Sequence, residues 1–175
     1  MAGIEVATGE LNGAILVNDI VCGIDLTKPE EVRGLILYAQ DEMAKHPDAI
    51  FGDNEICPLT HHYTPGIYSR EIFIPAGMLI IGKIHKHEHP NMLVKGVVSV
   101  LTEQGGVQVL QGPKFMISPA GTKRMLYTHS DTTWITFHAN KDNLKFSEEL
   151  EDEIIAKSYE DFERFAEEQK CLSCG

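Results

Sequence analysis

Three histidines within five residues, His85, His87 and His89, are the densest group of chemically capable side chains in this 175-residue chain. Lys83 precedes them and Glu88 lies among them. A neutral imidazole offers a lone pair to a metal ion, and a protonated one pairs with an anion, so both chemistries are open to such a group. Alternate residues of a strand share a face, which places Lys83 and His85 together, and His87 with them if the strand runs on. A third imidazole from the following bend, His89, can then converge on the same point.

These residues stand in a frame of glycines and prolines. Gly77 is followed by five residues, Lys83-Ile84-His85, three residues, His89, six residues and Gly96. Further on come Gly112, Pro119-Ala120-Gly121, two residues, Arg124, three residues and Thr128. The spacing resembles the two cupin motifs, G(X)5HXH(X)3,4E(X)6G and G(X)5PXG(X)2H(X)3N, with one extra residue before the second motif's proline. The resemblance implies a mainly β protein, a cupin-like double-stranded β-helix or jelly-roll barrel. In metal-binding cupins the motif positions supply three histidines and a glutamate. Here the same positions hold Lys83, His85, His89 and Arg124, so the backbone signature carries over and the ligand set does not. The strings YSREIFIPAG, GKIH, EH and GTKR also resemble small cupin-like proteins of tailed phages and prophages, across roughly the middle half of the chain.

The residues support three readings. In the first, Lys83, His85, His89 and Arg124 form a cationic pocket for a small anion, since a guanidinium fork binds two oxygens at once. Tyr68, Tyr127 and Trp134 would flank a planar ligand such as a nucleotide base. The phage resemblance extends this to a signalling nucleotide that is sequestered rather than turned over. In the second, His85 and His89, completed by Glu88, His87 or His138, hold Fe, Mn or Zn in a cupin enzyme of dioxygenase or isomerase type. Lys83 and Arg124 oppose it, because two like unit charges at 4 Å cost roughly 4 kcal/mol at an effective dielectric of 20. In the third, the barrel is a structural component of a phage particle, its cations paired with internal carboxylates such as Glu71, Glu88 or Glu103. The chain holds no GxSxG pattern for a nucleophilic triad.

The elements that must position these groups are legible in part. Residues 1–66 read as N-terminal strands with an Asn12-Gly13 turn, a helix and a connection. Thr27 with Glu30 spells a capping box, and Val32, Leu35, Ile36, Ala39 and Met43 recur at helical spacing. Residues 67–140 read as the barrel core, with strands over 67–74, 78–87, 92–102, 107–110, 115–118, 123–128 and 132–138. Residues 141–175 read as one amphipathic helix, N-capped by Ser147, and a tail. Its stripe of Leu150, Ile154, Ile155, Tyr159, Phe162, Phe165 and Ala166 would bury against the barrel or against a second subunit.

Charge narrows the partners. The net charge is −11, and residues 148–168 hold ten acidic and two basic residues, a net of −8 that leaves −3 for the remainder. That balance argues against nucleic acid as a partner. No apolar run reaches the length of a membrane span, and the first residues lack a leader pattern, so no membrane partner and a cytoplasmic location are expected. A homo-oligomer through the C-terminal helix or a barrel edge is expected as well. The terminal Cys171 and Cys174 have metal-like spacing, but a zinc ribbon needs a second pair.

Overall fold

A computed structural model describes residues 5–7 and 25–173. Most of the expected N-terminal strand region, including the Asn12-Gly13 turn, lies outside the described residues. A three-residue strand, β1 (Glu5–Ala7), is described there. The first described helix, α1 (Pro29–Lys45), buries Val32, Leu35, Ile36, Ala39 and Met43, the stripe that the sequence spacing predicts. Its expected capping box does not form, because Lys28 occupies the cap with no side-chain bond. Thr27 turns back instead, and both its N–H (3.0 Å) and its hydroxyl (2.6 Å) donate to Asp25 Oδ1. Pro29, which has no N–H to lose, opens the helix.

The strands that follow are β2 (Ala49–Phe51), β3 (Leu59–Thr64), β4 (Gly66–Ile74), β5 (Leu79–Ile81), β6 (Ile84–His85) and β7 (His89–Lys95). After them come β8 (Val97–Thr102), β9 (Gly106–Gln111), β10 (Lys114–Ser118), β11 (Met125–Thr128) and β12 (Thr132–Asn140). One sheet runs β2-β1-β5-β11-β8-β9 and the other β10-β7-β12-β4-β3, with every pair antiparallel. Ile74, Leu93 and Trp134 of the second sheet meet Met78, Ile80, Val98, Val100 and Leu126 of the first in a shared core. The outer face of the first sheet, through Leu79, Ile81, Leu101 and Met125, receives the α1 stripe. This is the mainly β, cupin-like jelly roll that the motif spacing implies.

Three expected boundaries move. A strand, β3, forms within the stretch read as a connection. The expected strand 78–87 breaks at Gly82-Lys83, where the Gly82 N–H donates to the Arg124 carbonyl (2.8 Å) rather than continuing the ladder. The expected strand 92–102 divides at Gly96, whose φ of +112° suits glycine and where a Cβ would lie 2.4 Å from Thr132 Oγ1.

The C-terminal region departs most from expectation. In place of one helix there are α2 (Glu148–Ile154), a two-residue strand β13 (Ile155–Ala156) and α3 (Tyr159–Ser173). Ser147 caps α2 as expected, its hydroxyl accepting from the Leu150 N–H at 3.3 Å. The helix stops there because Ile155 and Ala156 pair with His85 and Ile84 of β6. Much of the predicted stripe therefore lies on the protein's own barrel. Leu150, Ile154 and Ile155 pack with Tyr68, and Tyr159 and Phe162 pack with Ile84. No helix of the described residues is long and apolar enough to cross a membrane.

Gly121, the glycine of the Pro-x-Gly turn, is where α3 meets the barrel. It has a φ of +80°, and a Cβ there would sit 2.4 Å from the Phe162 ring. Strain in the left-handed region and overpacking together predict that Gly121→Ala costs about 2–4 kcal/mol. Urea unfolding measures this, and an unshifted midpoint would show that Phe162 is not seated on the turn.

Candidate ligand and metal site

The inner face of the five-stranded sheet changes character along its strands. β12 aligns Trp134 with Ile72 and Leu93, then Thr136 with Arg70 and Asn91, then His138 with Tyr68. Alternation sends all of these side chains to one face. The first row is apolar and joins the core, while the next two are polar. His89, at the start of β7 and opposite Ser118 of β10, belongs to the polar end. β6 brings His85 across from the other side, held by its pairing with β13 and by a bond from the Gly121 N–H to the His85 carbonyl (2.8 Å).

His85, His89 and His138 are thereby gathered in a buried cluster, with one ring nitrogen from each within 4.8 Å of the others. The ring centroids are 4.2, 5.1 and 4.9 Å apart. His89 Nδ1 lies 3.0 Å from the His87 carbonyl, which can only accept, so Nδ1 carries the proton. His89 Nε2 is then a bare lone pair, and among the described residues neither it nor His85 Nδ1 has a hydrogen-bond partner.

Burial keeps all three rings neutral. It drives His85 well below the usual imidazole range, reinforced by His89, His138, Arg70 and Arg124. Burial also lowers His89 to about 4, against the opposing effect of its bond to the His87 carbonyl. His138 falls to about 2, again through burial first and then the charges around it. Neutral imidazoles with unpartnered nitrogens are the form that binds a divalent cation, so the donor set fits a metal such as Fe, Mn or Zn.

Cations surround the cluster. Arg124 is aligned by alternation with Leu126 and points inward, where its Nη2 donates to Ser118 Oγ and its guanidinium lies 5.7 Å from the Trp134 ring. Ser118 also accepts from Asn91 Nδ2 at 2.5 Å. Burial lowers Arg124 to about 10, which leaves it charged at neutral pH. Lys83 is neutralised by Glu151 of α2, a carboxylate outside those considered from sequence. Arg70, which sequence reasoning missed, projects from β4 between Tyr68 and Ile72, and its charge acts on His85, His89 and His138. Its guanidinium makes no hydrogen bond or ion pair among the described residues. The inward parity of position 70 in the Tyr68-to-Ile74 alternation was the available signal.

The remaining predicted residues divide. Tyr68 is buried beside the cluster, 6.1 Å from the His138 ring, but its hydroxyl is engaged by His61 Nδ1 at 2.7 Å. Trp134 forms the floor beneath Arg124. Tyr127 shares the outer face with Met125 and packs toward α1, so it cannot flank a ligand in the barrel. Glu88 is exposed and outside the histidine cluster. His87 is exposed because the chain bends after His85, and it rests edge-on against Phe165 at 5.2 Å. The proposed internal partners are engaged elsewhere, Glu71 with His62 (3.0 Å) and Glu103 with Arg33 (3.1 Å). A cleft of about 270 Å³ opens between β9 and β10, lined by Gln108, Lys114, Ser118, Arg124 and Trp134 among others.

No protein-family model matches the chain. No curated protein matches it either. Solved structures similar to it include KdgF from a Halomonas species, at 16% identity over 52% of this chain and 88% of that one, with a TM-score of 0.42. A putative ethanolamine utilization protein, EutQ, from Salmonella typhimurium is 13% identical over 53% and 80%, with a TM-score of 0.41. An RmlC-like cupin from Shewanella frigidimarina is 14% identical over 49% and 78%, with a TM-score of 0.42.

The neutral histidines make stability depend on pH. The unfolded chain protonates them near pH 6.5, whereas the folded chain resists to about pH 4 or below. Stability present at pH 7 is therefore lost as pH falls through that window, with His89 alone accounting for about 3 kcal/mol. Denaturation between pH 7 and 5, above the carboxylate range, should show the first part of this loss, about 2 kcal/mol from His89. Replacing all three histidines by Gln should flatten it, and an equal slope in that variant would place the effect elsewhere.

Proposed function

We propose that the protein binds a small anion inside the barrel, with Arg124 as its principal anchor. One observation carries this reading: a half-buried guanidinium that acts on two of the neutral histidines, His85 and His89, has a hydroxyl, and no carboxylate, as its partner among the described residues. A charge partly withdrawn from water without a counter-charge is destabilising, and an oxyanion entering from solution would be its complement. The Ser118 hydroxyl, itself held by Asn91 Nδ2, would donate to that oxyanion and position it. The cleft between β9 and β10 supplies the route to Arg124. With Tyr127 on the outer face and the Tyr68 ring already stacked against His61, Tyr63 and Phe146, Trp134 is the aromatic beside Arg124 for a nucleotide base to stack on, and the ligand is read as a small oxyanion before a nucleotide.

The histidine cluster favours a second reading, a metal-dependent cupin in which His85, His89 and His138 hold a divalent ion. Such an ion would act as a Lewis acid on a bound oxygen ligand. The two readings are compatible, since an anionic substrate held by Arg124 would offset the charge of both.

Arg124→Ala tests the first reading. Because no carboxylate is stranded, the variant should melt at or above the wild-type temperature while losing the stabilisation that phosphate or simple carboxylates give the wild type. A loss of about 3–5 kcal/mol without any ligand effect in the wild type would assign the arginine to an internal ion pair instead.

Metal analysis after dialysis against Zn(II) or Fe(II) tests the second. One equivalent should bind to the wild type, and none to the His89→Ala, His138→Ala double variant. Stoichiometric metal in that variant would move the site away from the barrel.

A further inference from the structure

Two guanidiniums, rather than one, face the histidine cluster, and they come from opposite walls. Arg124 precedes β11 of one sheet and reaches the β10 side through Ser118. Arg70 comes from β4 of the other sheet, three strands away from β10 in the order β10-β7-β12-β4. At about 4.8 Å per strand, the strand of Ser118, which the Arg124 guanidinium reaches, lies roughly 14 Å from the strand that carries Arg70. Between them lie His89 and His138, on the two intervening strands. Both arginines act electrostatically on His85 and His89, and Arg70 acts on His138 as well.

Neither guanidinium has a carboxylate partner among the described residues. A single oxyanionic group on Arg124 would leave Arg70, on the other side of the histidine cluster, uncompensated. Among the described residues, His85 Nδ1 in the cluster is also without a partner, and as the protonated tautomer it would donate to an acidic group. The polar end of the barrel thus holds two cationic anchors with the histidine cluster between them.

We propose that the ligand is a small molecule with two separated acidic groups, of the dicarboxylate class, bound end to end with one group on Arg124 and the other on Arg70. This rests on the anion-binding reading above and deepens it: Arg124 receives the group that enters through the cleft, and Arg70 measures the distance to the second. Arg70 is then the residue that sets specificity by length. A monocarboxylate fills one anchor, whereas a dicarboxylate of suitable length fills both.

The test compares propionate and butyrate with succinate and glutarate, using calorimetry on the full-length protein as purified. One of the dicarboxylates should bind at least about tenfold more tightly than the monocarboxylates, as a second charge-assisted contact requires. Arg70→Gln should abolish that preference while retaining monocarboxylate binding, and Arg124→Gln should weaken both. Thermal melts establish that each variant is folded, with Arg70→Lys as a charge-retaining control that keeps part of the preference. Equal affinity for mono- and dicarboxylates in the wild type would overturn the two-anchor inference while leaving the anion reading intact. No binding of any of the four acids to folded wild type would overturn both.

Discussion

The nine-residue register between β12 and β4, continued on the other side into β7, is the constraint on which the site depends. It fixes which side chains of three adjacent strands face the barrel interior. Along that face Trp134, Ile72 and Leu93 close one end with apolar packing, and His138, His89, Arg70 and Asn91 line the other. A slip of one residue would send the whole polar set outward and put Phe137, Ile135 and Ser69 in its place. Core packing and site chemistry are therefore parts of one alignment, and the apolar end supplies the stability that holds the polar end in position.

The polar end is unusual in its balance of charge. Lys83 is neutralised by Glu151, but the two arginines face neutral histidines, and Arg124 has the Ser118 hydroxyl as its partner. Burial keeps the imidazoles uncharged, which limits repulsion with the guanidiniums and leaves lone pairs for a cation. The C-terminal segment takes part directly: α2 supplies Glu151, and β13 is the strand partner of His85. Residues far from the barrel core in sequence thus complete its wall.

Much of the fold could be read from residue types. Gly77, Gly96 and Gly121, each at positive φ, mark bends that the motif spacing had placed. The α1 stripe follows from helical periodicity alone. The capping box failed because Asp25 offered Thr27 a nearer acceptor. The single C-terminal helix failed because Ile155 and Ala156 satisfy a strand in the barrel, a long-range pairing invisible to local periodicity.

Within the site, His85 and His89 were recoverable from motif spacing, and His138 only as a histidine on the last barrel strand. Tyr127 was misplaced because its face is decided by where β11 starts, and Arg70 was missed because its meaning depends on which way β4 turns. Both are questions of strand parity, which shifts with a single residue at a bend such as Gly82-Lys83.

The central claim is a pocket of neutral imidazoles with an unprotonated nitrogen aimed inward beside charged guanidiniums. Side-chain 15N chemical shifts of His85, His89 and His138 at pH 7, assigned by single substitution, measure this directly. The account predicts three neutral rings, with His89 protonated on Nδ1 and bare on Nε2. Imidazolium shifts at His89 or His138 at that pH would contradict it.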